Sequence, residues 1–231
     1  MDKLLTVVIP SYNVEKFLNQ TLDSFVCDEA VMKKFEVIVV DDGSKDNTAK
    51  IGKEYADKYP DTFRVISKEN GGHGSTINCG IRNAVGKYFK VVDGDDWVNT
   101  ADFVKLVEDL EKTESEYVFT NYYEYYDDVN RQKAVDFPQF KDGTEYDFAD
   151  VANKVYIPMH ALVIKTSVLK DNNIVIDEKC FYVDVEYVMF PVPFVNKVTF
   201  FDLHVYMYRL ALTTQSVSIL GFQKHINDHL R

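Results

Sequence analysis

The sequence predicts an α/β fold, a central sheet with helices on both faces. Three observations carry that prediction. Short apolar runs alternate with amphipathic segments from Leu4 to Val98. Successive runs end in polar or acidic turns. The chain has 231 residues, 46% of them hydrophobic and 14% aromatic, enough to bury a large core and to exclude disorder or a low-complexity fibre.

Each element follows from its residues. Leu4–Pro10 (LLTVVIP) is an apolar, β-branched run and reads as a buried strand, and Val14, Phe17, Leu18, Leu22 and Phe25 then recur at helical spacing. Phe35–Val40 is a second strand, ending in Asp41-Asp42-Gly43-Ser44, and a helix follows from about Asn47 to Lys58. Phe63–Ser67 is a third strand. The turn containing Gly71, Gly72 and Gly74 opens a helix over Ser75–Val85. Tyr88–Val92 is the fourth strand and runs into Asp93-Gly94-Asp95-Asp96-Trp97, ahead of a helix over Ala101–Lys112. Strands alternating with helices predict parallel pairing, and ligands of such sheets gather at the carboxyl ends of the strands. Beyond residue 98 the character changes: 116–140 is rich in Tyr and Phe and reads as strands and hairpins, with further strands at Met159–Ile164 and Phe200–Tyr208. Residues 221–231 read as an amphipathic helix.

Lys and Arg total 26 against 37 Asp and Glu, a net charge of −11. That balance argues against nucleic acid as a partner. Cys27, Cys79 and Cys180 lie far apart with no CxxC, as expected of reduced thiols. Leu4–Pro10 is too short for a signal peptide, and no apolar stretch is long enough to span a membrane. The expectation is a soluble, cytoplasmic protein. Peripheral association with the inner face of the membrane and oligomerisation stay open.

The acidic strand ends are the candidate chemistry. Asp93, Asp95 and Asp96 crowd like charges at the end of a buried strand, where each raises the others' pKa unless a cation is bound. Oxygen-only ligation suits Mg²⁺ or Mn²⁺ bridging a substrate's phosphates. The alternative is an acidic loop capping the next helix. Asp42 can accept from a base N–H or a ribose hydroxyl, or close a turn. Tyr12, after the first strand, can stack on a base. The glycine turn 70–75 can bring backbone amides to a ligand or be a plain loop. With no GxGxxG after the first strand and no GxxxxGK[ST], neither a nicotinamide site nor a P-loop is supported.

Taken together, TVVIPSYNVEKFLNQTLDSF, VIVVDDGSKDNT and ENGGHGSTINCGIRNAVGKYFKVVDGDDW resemble, in order and spacing, the family 2 glycosyltransferases. The resemblance covers nearly the whole chain. It implies a single domain of GT-A fold with a Rossmann-like mixed central sheet, residues 1–97 forming the nucleotide-sugar half and 98–231 the acceptor half. It places Pro10 and Tyr12 in the base pocket, Asp42 on the uracil of a UDP-sugar and Gly72 in the donor loop. It gives Asp93 to the ribose or the metal, Asp95 and Asp96 to the metal, and Trp97 and His160 to the substrate. Asp184, in YVDVEY, matches the catalytic base that deprotonates a glycan or lipid-linked acceptor, with Glu186 in reserve. Val183 stands where the family has Glu, and Ile77 where many members have Arg. His204 is a candidate further metal ligand and Arg209 a candidate diphosphate partner. The rival readings are a binding module that retains the fold without turnover and a haloacid-dehalogenase-like phosphatase, the latter disfavoured by Trp97 after Asp96.

Overall fold

The computed structural model describes residues 3–211, 223 and 226–229. Its first four strands, β1 (Leu5–Ser11), β2 (Phe35–Asp41), β3 (Phe63–Ser67) and β4 (Tyr88–Val91), are all parallel, in the spatial order β3-β2-β1-β4. Helices α3 (Thr48–Lys58) and α4 (His73–Asn83) are the crossovers after β2 and β3. β1 and β2 are buried at every position, which is why they read as continuous apolar runs rather than alternating ones. Their side chains still divide by face. Leu5, Val7 and Ile9 join one apolar cluster with Phe25, Phe35 and Phe103, whereas Val8 joins the other with Ile38, Ile77 and Phe89.

The rest of the chain extends this sheet. β5 (Trp97–Val98) is followed by α5 (Thr100–Asp109), β6 (Tyr117–Tyr126), β7 (Arg131–Val135), β8 (Thr144–Asp147) and α6 (Phe148–Ala152). Then come β9 (Leu162–Lys165), α7 (Thr166–Asp171), α8 (Asp184–Met189) and β10 (Lys197–Leu210). The sheet order continues β4-β9-β6-β10-β5, with β9 antiparallel to both of its neighbours and β10 parallel to β6. The sheet is therefore mixed, as expected. β10 carries register shifts between Phe201 and Tyr206, which let this long strand bend.

Several boundaries differ from the sequence reading. The first helix, α1, covers only Leu18–Asp23; the chain before it is a turn, in which the amides of Asn13, Val14 and Glu15 donate to Ser44, Thr48 and Asp46. The strand expected from Met159 begins at Leu162, because the amides of Ala161 and Leu162 turn back to Pro158 and Met159. α8 stops at Met189, and a 3₁₀ turn over Val192–Phe194 takes up Pro191 and Pro193. Of the helix expected over 221–231, the described parts are Gln223 and Ile226–His229, both helical; the remainder lies outside the described residues. Among the described residues no helix is long and apolar enough to cross a membrane.

Candidate active site

The carboxyl ends of β1, β2 and β4 lie side by side: Asp42 N donates to Ser11 O at 2.8 Å, and Gly94 N to Pro10 O at 3.1 Å. Two neighbouring cavities open there. One, of about 370 Å³, is lined by Tyr12, Asp42, Asn70, Gly72 and Lys179, among others. The other, of about 310 Å³, is lined by Asp93, Asp95, His160, Asp184 and Tyr208, among others. Pro10, His73 and Phe181 line both.

Asp42 is buried, and its carboxylate accepts from Gly71 N at 2.9 Å, Gly72 N at 2.8 Å and Lys68 Nζ at 2.7 Å. It thus fixes the glycine turn as well as lining the cavity. Gly72 has φ +84°, a conformation that favours glycine, and a Cβ there would sit 3.2 Å from Lys179 N. Tyr12 is 48% exposed, its ring available to a ligand.

Around the second cavity the acidic residues part company. Asp93 takes a 2.8 Å hydrogen bond with His73 Nε2, joining the acidic turn to the glycine turn. Burial works against charge on that imidazole, but the Asp93 carboxylate outweighs it and holds the pKa above the usual histidine value. Burial, with the charge of Asp93 added, pushes Asp95 up to about 6. Asp96 is turned inward: its two oxygens accept from Tyr206 Oη at 2.6 Å and Arg209 N at 2.7 Å, and it is absent from the cavity wall. Of the three expected ligands, the structure brings two, Asp93 and Asp95, to the cavity.

These two oxygen donors fit a hard divalent cation. Among the described residues no cluster of three or more His, Cys, Asp or Glu side chains is arranged to hold a metal. The protein would supply few of the ligands, leaving room for phosphate oxygens and water, as Mg²⁺ sites usually do. The raised pKa of Asp95 is the strain that such a cation would relieve.

From the other side, α8 begins at Asp184, whose side chain faces this cavity. Burial pushes its pKa up, with Asp93 adding and His73 opposing. Val183, the residue in place of Glu, is buried beside Asp184 on the wall of this cavity, whereas Ile77 is buried in the core. Glu186, the reserve base, accepts from Asp177 N at 2.7 Å and is absent from the cavity wall. His160 lines the cavity with its ring stacked on Tyr208 at 3.8 Å, and burial drives its pKa down to about 4, so it is neutral. Trp97 is not on either wall; it packs edge-on against Tyr125 at 5.1 Å. His204 pairs instead with Asp136 at 2.6 Å and stacks on Tyr123, outside both cavities. Arg209 reaches Asp95 O rather than a cavity wall.

His73, Phe181 and Tyr208 were not foreseen as site residues. A histidine inside the GGHG turn, a ring able to pair with a carboxylate, was the available signal for His73. Phe181 and Tyr208 come from loops and strand ends whose placement depends on the C-terminal half.

A parallel half-sheet with acidic turns at its carboxyl ends, continued by a mixed half from which helix α8 brings a further carboxylate to the same rim, has the GT-A class of glycosyltransferase fold. Residues 6–172 match the profile described as Glycosyl transferase family 2, and the chain belongs to that family. S. aureus TarS 1-349, solved in complex with UDP-GlcNAc, has a similar fold with a TM-score of 0.78 at 22% identity, over 97% of this chain and 64% of that one. The mannosyltransferase PcManGT from Pyrobaculum calidifontis, solved with GDP-Man and Mn²⁺, gives 0.69 at 17% identity, over 99% of this chain and 63% of that one. The uncharacterised glycosyltransferase EpsJ of Bacillus subtilis is 37% identical over 123 residues, which are 53% of this chain and 35% of that protein. The chain thus matches about a third of the length of that curated relative.

Proposed function

We propose that the protein is a metal-dependent, inverting glycosyltransferase that moves a sugar from a nucleotide donor, a UDP-sugar, to a hydroxyl of a glycan, glycolipid or glycoprotein acceptor. The observation that carries this reading is the convergence of Asp93, Asp95 and Asp184 on one cavity, beside a second lined by Tyr12, Asp42 and Gly72. Residues 1–97 form the donor half and 98–231 the acceptor half of one domain. The nucleotide sugars bound to TarS and to the mannosyltransferase, and the Mn²⁺ of the latter, support the choice of donor and cation.

In this reading Tyr12 stacks on the base, and Asp42 and the glycine turn it holds border the nucleoside. Asp93 and Asp95 would hold Mg²⁺ or Mn²⁺, which when bound screens the diphosphate and its developing negative charge. Asp184 accepts the proton of the acceptor hydroxyl as that oxygen bonds to the anomeric carbon. The bond from that carbon to the diphosphate breaks on the opposite face, and its electron pair leaves with the nucleotide. A raised pKa suits Asp184 to the role, since a base too acidic would hold the proton weakly. Neutral His160 can donate or accept a hydrogen bond to a sugar without adding charge. The exposed Val185, Met189 and Phe190 follow Asp184 along and just beyond α8, an apolar margin suited to a lipid-linked acceptor.

The test is nucleotide release from a panel of UDP-sugars with Mn²⁺ or Mg²⁺, repeated with EDTA and with Asp95→Asn. Slow hydrolysis of one donor, lost in both controls, is the expected result. Tight UDP binding without release from any donor, even with acceptor glycans supplied, would favour a binding module. Neither release nor binding would overturn the UDP-sugar reading.

A further inference from the structure

We propose that Arg209 is a positioning residue for the acidic turn: from the far end of the chain it fixes the backbone of Asp95, and with it the affinity of the cavity for a divalent cation. The inference rests on the reading of Asp93 and Asp95 as the cation site. Arg209 lies near the end of β10 and is 5% exposed. Its Nε donates to Asp95 O at 2.8 Å, across 114 residues of sequence. Its main-chain N donates to Asp96 Oδ1 at 2.7 Å, so one residue holds two successive members of the turn.

The guanidinium is itself held on every side. Nη2 donates to Gln20 Oε1 at 2.6 Å, and Nη1 to the Asp127 carboxylate. The rings of Trp97, Phe17 and Tyr125 pack around it, with centroids 4.6, 4.9 and 5.8 Å from its central carbon. Three donors of one rigid fork thus tie α1, the acidic turn and the 3₁₀ turn after β6 to β10. Lysine, with a single ammonium on a flexible stem, cannot reproduce that geometry. The arrangement also accounts for Trp97, which packs against this guanidinium instead of lining a cavity. Arg209 is buried and lines neither cavity, so its effect is exerted through Asp95 rather than by contact with a donor diphosphate.

The experiment measures UDP binding by calorimetry at stepped Mg²⁺ concentrations in the full chain, for wild type, Arg209→Lys and Asp127→Asn. Groups that orient metal ligands typically change metal affinity by about 10–100-fold, so Arg209→Lys is expected to raise the half-saturating Mg²⁺ by about tenfold or more. UDP affinity at saturating Mg²⁺ should stay near the wild-type value. Asp127→Asn, at a position 37% exposed, is a milder lesion that should fold even if Arg209→Lys does not, and should shift Mg²⁺ dependence in the same direction by less. Trp97 is the only tryptophan, so its fluorescence during thermal unfolding reports whether each variant is folded.

An unchanged half-saturating Mg²⁺ in the folded variants would reduce Arg209 to a structural role and overturn the inference. Weaker UDP binding by the same factor at every Mg²⁺ concentration would overturn it in favour of direct phosphate contact. UDP binding by wild type that ignores Mg²⁺ would instead remove the cation reading, and this inference with it.

Discussion

The Tyr206 phenol donates to the Asp96 carboxylate across 2.6 Å, a buried bond between β10 and the acidic turn, 110 residues apart in sequence. The same oxygen accepts from Asp93 N at 3.1 Å. Burial first, then the charge of Asp96, pushes the phenol well above its ordinary pKa, so it stays a donor. Tyr206→Phe strands one buried carboxylate oxygen and one amide, at a cost of about 1–3 kcal/mol. Urea unfolding of the two proteins measures this; equal midpoints would mean that water replaces the hydroxyl at no cost.

Asp184→Asn should keep UDP affinity and lose turnover by about 10²–10⁴-fold, the range of general-base catalysis. The wild-type pH profile gives a second reading. A base works deprotonated, and the Asp184 pKa is raised, so activity should fall as pH drops through a value above the ordinary aspartate range. Loss of UDP binding in Asp184→Asn, with turnover per bound donor intact, would place the base elsewhere.

A Cβ added at Gly74 would lie 2.0 Å from the carbonyl oxygen of Asp177, inside contact distance. Gly74→Ala must therefore separate the glycine turn from the 177–183 loop, whose Lys179 N donates to Gly71 O at 2.7 Å. Overpacking of this kind costs about 1–3 kcal/mol, and the cavity lined by Tyr12, Asp42 and Gly72 lies along the same seam. The expected result is a lower unfolding midpoint together with weaker UDP binding. Wild-type values for both would show that the loop moves aside without cost.

Lys90 is fully buried on β4, where its ammonium donates to His160 O at 2.9 Å and Leu162 O at 3.2 Å. Burial brings its pKa down from 10.5 to about 7. Below that value both folded and unfolded chains are protonated, and the cost of burying the charge is fully present. As pH rises from about 7 towards 10.5 the folded chain loses the proton first, so this group makes stability increase with pH across that window. Lys90→Met should flatten the increase. Chemical denaturation of both proteins from about pH 6 to 9 tests it; parallel curves would mean that Lys90 titrates normally.

The parallel half of the sheet was legible because its signals are local. β1 and β2 are buried on both faces, so apolar runs marked them, and the turn at Asp42 and the acidic turn at Asp93 fall at the strand ends where parallel sheets hold ligands. The mixed half, from β5 onward, was legible only in part. β5 is two residues long and exists because Tyr206 and Met207 pair with it, a partnership no local pattern announces. β8, edge-paired to β10, was missed for the same reason.

The α/β class, the parallel strands up to Val91 and the residue types at their ends follow from apolar periodicity and turn chemistry within a few residues of one another. What surrounds each carboxylate follows instead from long-range packing. Asp93, Asp95 and Asp96 are nearly adjacent in the chain, yet two line a cavity while the third accepts from Tyr206 and Arg209. Likewise Asp184 reaches that cavity because α8 is carried to the rim by packing against β4 through Phe89 and Tyr187. A carboxylate's role depends on its burial and on which donors meet it, and those donors arrive from strands a hundred residues away.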